Sequence, residues 1–212
     1  MSSQFEPYTD NGGTVIAVAG EDFVIIAGDT RLTQNSYCIA SRNVSKVAKI
    51  TDDIFIASAG MQADIFTLQK NLLLHSKQFK QDTGADISLS AFSQYLGNTL
   101  YGRRFFPYYT FNIVGGIKPD GTTGIFEYDA VGNFQEYKCS CAGSAASLMF
   151  PLLDSQMKGR KTPIPFDEAL GLVKDAITSA GERDIHTGDF VKIHVLRRGQ
   201  APEETTFELK QD

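Results

Sequence analysis

The sequence predicts an α+β fold: a four-layer αββα sandwich in which two antiparallel sheets face each other and a pair of helices covers each outer side. Strand and helix patterns come in blocks, in the order strands, two helices, strands, two helices, strands. The first strands are apolar on both faces, which indicates a sheet that is covered on both sides. A doubly wound sheet would instead alternate strands and helices along the chain, so the block order favours the sandwich.

Each element is assigned from its periodicity and from the turn residues that bound it. Two apolar runs around the turn at residues 20–22 predict a hairpin of strands at 14–19 and 23–28. The other predicted strands cover residues 37–40, 46–50, 54–57, 111–114, 124–128, 134–141, 191–196 and 205–209. Apolar residues at helical spacing predict four helices, at residues 65–79, 89–100, 144–157 and 166–180.

Composition limits the class of protein. The chain has 212 residues, 42% of them hydrophobic, and a net charge of −5. This length favours one domain, which can bury a core without disulfides or metals. The negative charge argues against a dedicated binder of nucleic acid or of anionic membranes, and no apolar run approaches the roughly 18 residues of a membrane span.

The cysteines and the first residues indicate a reducing compartment. Residues 1–8 contain neither a basic start nor an apolar stretch, so we expect no secretory signal there. Three cysteines cannot all pair within one chain. Cys139 and Cys141 form a C-x-C pattern, but two thiolates alone do not complete a tetrahedral metal site. The histidines show no zinc-site spacing, and we expect no metal and no cofactor.

One polar and aromatic stretch indicates a contact with another protein. Arg103 and Arg104 stand beside Phe105, Phe106 and Tyr108. Two arginines in an acidic chain are weak support for nucleic-acid binding. Arginine and aromatic residues are enriched in protein–protein interfaces, so this stretch predicts a protein contact.

An ordered set of short motifs runs through the chain. Its members are Gly28-Asp29-Thr30-Arg31, Lys46-Val47, Ala142-Gly143-Ser144 and Arg183-Asp184. From residue 14 to residue 209 the chain resembles the β-subunits of the 20S proteasome, in the N-terminal-nucleophile hydrolase superfamily. The resemblance implies the αββα fold of that superfamily.

Two further stretches narrow the resemblance to the subunit type at the sixth position of the β-ring. They cover residues 4–14 and 100–109. That subunit type is regarded as non-catalytic and keeps part of its N-terminal extension. The resemblance therefore implies an extension or propeptide remnant at residues 1–13, followed by a single proteasome β-type domain at residues 14–212.

Catalytic members of the family begin with a threonine whose hydroxyl attacks the peptide carbonyl and whose free amine accepts the proton. By position, the residues that support this threonine match Asp29, Lys46, Ser144 and Asp184, with Thr187 in place of a later serine. Matching Lys46 requires one inserted residue near position 38.

The position of the nucleophile falls on Gly13, which has no side chain, when counted back from Asp29. Thr14 comes one residue too late, and in a strand a shift of one residue turns a side chain to the opposite face. We therefore expect no catalytic residue in this chain. The matching Asp, Lys, Ser and Asp would form a vestigial cluster with a structural role.

The alternative is an active threonine-type peptidase. If the missing residue lay in the turn at 20–22, Thr14 would realign, and cleavage after Gly13 would free its amine. A third possibility is an unrelated, self-contained α+β domain.

The resemblance implies a non-catalytic structural subunit that helps enclose the proteolytic chamber used in ATP- and ubiquitin-dependent protein degradation. The implied partners are other β-subunits in the same and the opposing ring and the α-subunits, with no nucleic acid and no membrane. The implied location is the cytoplasm and the nucleus.

Overall fold

The computed structural model describes residues 6–34 and 37–210 and confirms the αββα sandwich. The strands are β1 (Thr14–Ala19), β2 (Phe23–Asp29), β3 (Leu32–Gln34), β4 (Cys38–Ser41), β5 (Val47–Lys49), β6 (Ile54–Gly60), β7 (Thr110–Ile117), β8 (Thr123–Tyr128), β9 (Phe134–Tyr137), β10 (Cys139–Gly143), β11 (Phe190–Arg197) and β12 (Glu203–Glu208). The helices are α1 (Gln62–Thr83), α2 (Leu89–Tyr101), α3 (Ala146–Met157) and α4 (Phe166–Arg183).

Two five-stranded sheets form the two central layers. The first has the order β10-β1-β2-β11-β12 and the second the order β5-β6-β7-β8-β9, and neighbouring strands in both are antiparallel. Helices α3 and α4 pack on the first sheet, and α1 and α2 pack on the second. Strands β3 and β4 form a separate two-stranded hairpin.

Burial on both faces explains why the first strands are apolar throughout. In β1, Val15 and Ala17 pack between the two sheets, whereas Ile16 and Val18 pack against α3 and α4. Successive side chains of a strand point to opposite faces, so a sheet covered on both sides needs apolar residues at every position.

The structure corrects two details of the strand assignment. Residues 134–141 were expected to form one strand, but β9 belongs to the second sheet and β10 to the first. The chain changes sheets at Lys138, whose carbonyl accepts a hydrogen bond from Ala19 N. A run of β-forming residues does not reveal such a crossover. Strand β3, only three residues long, was not expected.

The C-x-C cysteines lie on β10, where Cys141 is buried and Cys139 is partly buried. Burial raises the pKa of the Cys139 thiol to about 11 and also raises the pKa of Cys141. Both thiols are therefore protonated at neutral pH. Within residues 6–34 and 37–210, no three metal-ligating side chains come close enough to hold an ion.

None of the helices in the described part of the chain has the length and hydropathy needed to cross a bilayer.

His194 makes the stability of the fold depend on pH. Its side chain is nine-tenths buried on β11 against the ring of Phe55, at 5.3 Å between centroids. Burial lowers the pKa of His194 below the ordinary 6.5; Glu204, 3.9 Å away, acts against this shift and Lys192 adds to it. The unfolded chain thus takes up a proton at a higher pH than the folded chain does.

We expect the free energy of unfolding to fall as the pH drops below about 6.5, because protons then bind the unfolded chain preferentially. Denaturant unfolding at pH 7.5, 6.5 and 5.5 measures this dependence. His194→Phe should flatten the slope in this range, since it removes the titrating group. An identical slope in the two proteins would contradict the assignment.

Candidate functional site

The predicted site residues converge at one end of the sandwich. Gly13 directly precedes β1, whose first residues pair with the end of β10 on one side and the end of β2 on the other. Asp29 is the last residue of β2, and Ser144 directly follows β10. The antiparallel register therefore brings both side chains beside the start of β1. Asp184, at the end of α4, joins them through hydrogen bonds described below.

Lys46 and Asp29 form a buried ion pair. The Nζ atom of Lys46 lies 3.0 Å from Oδ1 of Asp29, and both side chains are almost completely buried. Nζ also donates hydrogen bonds to the backbone carbonyls of Asp29, at 3.0 Å, and Arg31, at 2.6 Å. All three contacts hold the ammonium group beside the start of β1.

Position 13 faces this ion pair. A Cβ atom added to Gly13 would overlap Cε of Lys46 and lie 2.5 Å from its Nζ and 3.1 Å from Oδ1 of Asp29. The φ angle of Gly13 is +85°, in the left-handed region that favours glycine. In this conformation, a side chain at position 13 would displace the lysine, so the pair occupies the space that a residue 13 side chain would need.

Backbone N–H groups complete the surroundings of the Asp29 carboxylate. It accepts hydrogen bonds from Thr14 N at 2.7 Å, Arg31 N at 3.2 Å and Gly188 N at 3.3 Å. Complete burial raises the pKa of Asp29 above its ordinary 3.8, while the Lys46 ammonium and the N–H groups of Thr14 and Gly188 act in the opposite direction. With donors on both oxygens, the carboxylate is a structural acceptor at the centre of this end.

The Thr14 hydroxyl lies on the side of Thr187 and not on the side of Lys46. It accepts a hydrogen bond from Ala145 N at 3.2 Å and lies 2.7 Å from Oγ1 of Thr187. Thr187 in turn donates to Oδ2 of Asp184 at 2.6 Å, so the Thr14 hydroxyl donates to Thr187. The residue is fully buried. Its hydroxyl is thus both an acceptor and a donor within the protein.

Ser144 and Asp184 form the second pair of the site. The Ser144 hydroxyl hydrogen-bonds the Asp184 carboxylate and lies 3.3 Å from the carbonyl oxygen of Gly13. Ser144 N donates to the same Gly13 oxygen at 3.0 Å. The peptide unit that joins Gly13 to Thr14 is therefore held from both ends: Ser144 binds its carbonyl, and Asp29 binds its N–H.

Residues 8–12 cross this end of the sandwich as a strap, the name we use for them below. Asn11 N donates to the Gly60 carbonyl at 3.2 Å, and Asn11 O accepts from Thr33 N at 3.1 Å. The Asn11 side chain donates to Thr33 O at 2.9 Å and accepts from Gln62 N at 2.8 Å. Tyr8 anchors the other end by donating to the Pro107 carbonyl at 2.7 Å.

A cleft of about 460 Å³ lies beside the strap. Asp10 and Gly12 of the strap line it together with Ser144, Tyr109 and Phe111. The strap is therefore one wall of the cleft. Gln4 and Phe5, which the sequence analysis included in the extension, lie outside the described residues, as do the other residues of 1–5. The division into an extension at 1–13 and a domain at 14–212 stays a prediction.

A second buried charged group, which was not predicted from the sequence, positions the loop between α4 and β11. Asp189 is completely buried with a φ of +68°. It binds Nε of Arg31 at 3.0 Å through one oxygen and Arg42 through the other. This loop carries Thr187. Arg31 ends the first of the ordered motifs, but nothing in the local pattern indicates a partner about 150 residues away.

The buried ion pair predicts an asymmetric response to mutation. Lys46→Met should lower the free energy of unfolding by about 3–5 kcal/mol, because it leaves the Asp29 carboxylate buried without its cation. The double variant Asp29→Asn with Lys46→Met removes both charges and should be more stable than Lys46→Met alone. Denaturant unfolding of the three proteins measures this. A double variant no more stable than the single one would contradict the pairing.

Comparison with known proteins identifies the family. The sequence pattern of the proteasome subunit family matches residues 9–196. A protein of Dictyostelium discoideum named proteasome subunit beta type-1 is 46% identical over 217 aligned positions, covering 99% of this chain and 91% of its own length. The beta type-1 subunit of Petunia hybrida is 40% identical over 100% of this chain and 99% of its own length.

A more distant relative is named differently. The proteasome subunit beta type-6 of Saccharomyces cerevisiae is 36% identical over 100% of this chain and 93% of its own length. The matches span nearly the whole chain, including the strands and loops that form the site. They confirm the resemblance seen in the motifs: this chain belongs to the proteasome subunit family.

Proposed function

We propose that this chain is the beta type-1 subunit of the 20S proteasome core and that it is a non-catalytic member of this peptidase complex. Membership in the family, together with the type-1 names of the Dictyostelium and Petunia relatives, supports the position in the core. The two stretches at residues 4–14 and 100–109 support the same subunit type. Its function is to complete the β-ring that encloses the proteolytic chamber.

The non-catalytic role requires that the peptide bond between Gly13 and Thr14 is not cleaved in the assembled particle. A threonine peptidase needs a free amine as its proton acceptor, and a peptide nitrogen has no basic lone pair. Here Thr14 N donates its hydrogen to Asp29 at 2.7 Å. Unless the chain is cleaved after Gly13, this nitrogen remains a donor at the place where catalysis needs an acceptor.

The observation that carries the proposal is the glycine at the position of the nucleophile. A side chain at position 13 would face Lys46 and Asp29, but this residue is glycine. The hydroxyl of the next residue, Thr14, is buried and donates to Thr187. To act as nucleophile, Thr14 would have to lose this partner, turn toward Lys46 and become an N-terminus. In a non-catalytic chain, the vestigial cluster holds the backbone around residues 13 and 14. Its members are Asp29, Lys46, Ser144 and Asp184.

The partners follow from this role. Members of the family assemble with other proteasome subunits, and we propose contacts with β-subunits of the same and the opposing ring and with α-subunits. As part of the core, the chain contributes to ATP- and ubiquitin-dependent protein degradation. We place it in the cytoplasm and the nucleus on the same reasoning.

The N-terminus of the assembled chain tests the proposal. In core particles purified from the source organism, we expect intact-mass analysis to find a chain that still carries residues before Gly13. A threonine-directed epoxyketone should leave this chain unlabelled, because Thr14 has no free amine. The catalytic β-subunits of the same particles are the internal control and should be labelled.

A chain that begins at Thr14 and carries the epoxyketone would contradict the non-catalytic role. It would establish the alternative in which Thr14 is the nucleophile of an active peptidase. A chain missing from the core particle would contradict the proposed place in the complex.

A further inference from the structure

The turn that follows α2 presents large apolar side chains to solvent. Phe105 is 99% exposed, Tyr101 65% and Phe106 60%. We call residues 101–106 the arginine–aromatic turn. The three exposed rings lie within six residues of one turn. Contiguous apolar surface of this kind marks interaction sites.

Exposure of the patch does not come from a loose backbone. Arg103 N donates to Leu100 O, Arg104 N to Tyr101 O and Phe106 N to Arg103 O, each at 3.0 Å. The ring of Phe106 also packs on Tyr8 of the strap, with centroids 5.5 Å apart. The protein thus holds the turn in one shape with Phe105 outward, which lowers the entropic cost of binding a partner.

The two arginines of the turn are in different situations. The guanidinium of Arg103 lies 4.4 Å from the ring centroid of Tyr108 and is therefore used within the chain. Arg104 is exposed, and its side chain has neither an ion pair nor a hydrogen bond with any residue of 6–34 or 37–210. Among the described residues it is a cation without a carboxylate partner, although the chain has a net charge of −5.

We propose that the arginine–aromatic turn is a docking surface for a neighbouring β-type proteasome subunit. The partner's matching face offers a carboxylate to Arg104 and an apolar recess to Phe105. Charge complementarity selects an acidic face, and arginine and aromatic residues are the types that dominate interface energetics. The inference rests on the proposed place in the β-ring and adds which residues make the contact.

The surface also lies next to the strap. Tyr8 contacts both Phe106 and Tyr109, and Tyr109 lines the cleft. A partner seated on the turn therefore sits beside the anchored end of the strap. This places the contact at the end of the sandwich where the site lies, and away from the β1–β2 turn at the opposite end of the strands.

Competition for a place in the particle tests the contact. Wild-type and variant chains carrying different tags are co-expressed with the other core subunits, and their ratio in purified particles is measured by mass spectrometry. We expect Phe105→Ala and Arg104→Glu each to be outcompeted at least about tenfold. Phe105→Leu and Arg104→Lys, which keep the apolar volume and the charge, should stay within about twofold of the wild type.

Because Phe105 and Arg104 are exposed, their substitution leaves the core of the subunit unchanged. Incorporation of Phe105→Ala and Arg104→Glu at the wild-type ratio would overturn the proposal. Exclusion of the wild-type chain itself from core particles would overturn the proposed function instead, so the two failures are distinguishable.

Cross-linking identifies the partner. Benzoylphenylalanine at position 105 is activated by light in purified particles, and the product is sequenced by mass spectrometry. We expect a link to a β-type subunit, at a segment that contains aspartate or glutamate. A link to an α-type subunit or to a protein outside the core, or no link from incorporated chains, would overturn the proposal.

Discussion

The peptide unit between Gly13 and Thr14 is the constraint on which this end of the molecule depends. Its carbonyl accepts from Ser144 N, and its N–H donates to the buried carboxylate of Asp29. Each of these partners is fixed by a charged or polar neighbour, Lys46 on one side and Asp184 on the other. A free N-terminus at Thr14 would break the covalent link between the two halves of this network.

In catalytic members of the family, these residue types support a nucleophile. In this chain they hold the backbone at Gly13 and Thr14. A buried lysine and aspartate are costly to desolvate, and the cost is recovered only while both charges and their hydrogen bonds are present. Glycine at position 13 leaves room for the Lys46 side chain, and the strap then lies across the end of the sandwich through Asn11. Glycine at position 13 and a strap anchored through Asn11 are thus parts of one arrangement.

The fold was predictable because the pattern of elements is regular. The block order of strands and helices, and strands such as β1 that are apolar on both faces, specify two covered sheets. The switch between β9 and β10 was not predictable, because residues 134–141 form one continuous β-pattern and only the tertiary hydrogen bonds assign its two halves to different sheets.

In the site, the separation of 16 residues between Gly13 and Asp29 was enough to predict from the sequence that glycine occupies the position of the nucleophile. The contacts of Asn11 and Asp189 could not be predicted from the sequence in this way. They depend on residues 22 and about 150 positions away that only the folded chain brings together.

Hydrogen exchange at the Thr14 amide tests the central claim most directly. In assembled particles, peptide-level exchange on overlapping fragments that span residues 12–15 reports the Thr14 N–H. We predict exchange slowed by several orders of magnitude relative to an unstructured peptide, because this N–H is buried and donates to Asp29. Rapid exchange, or the absence of an amide at Thr14 because the chain starts there, would contradict the account.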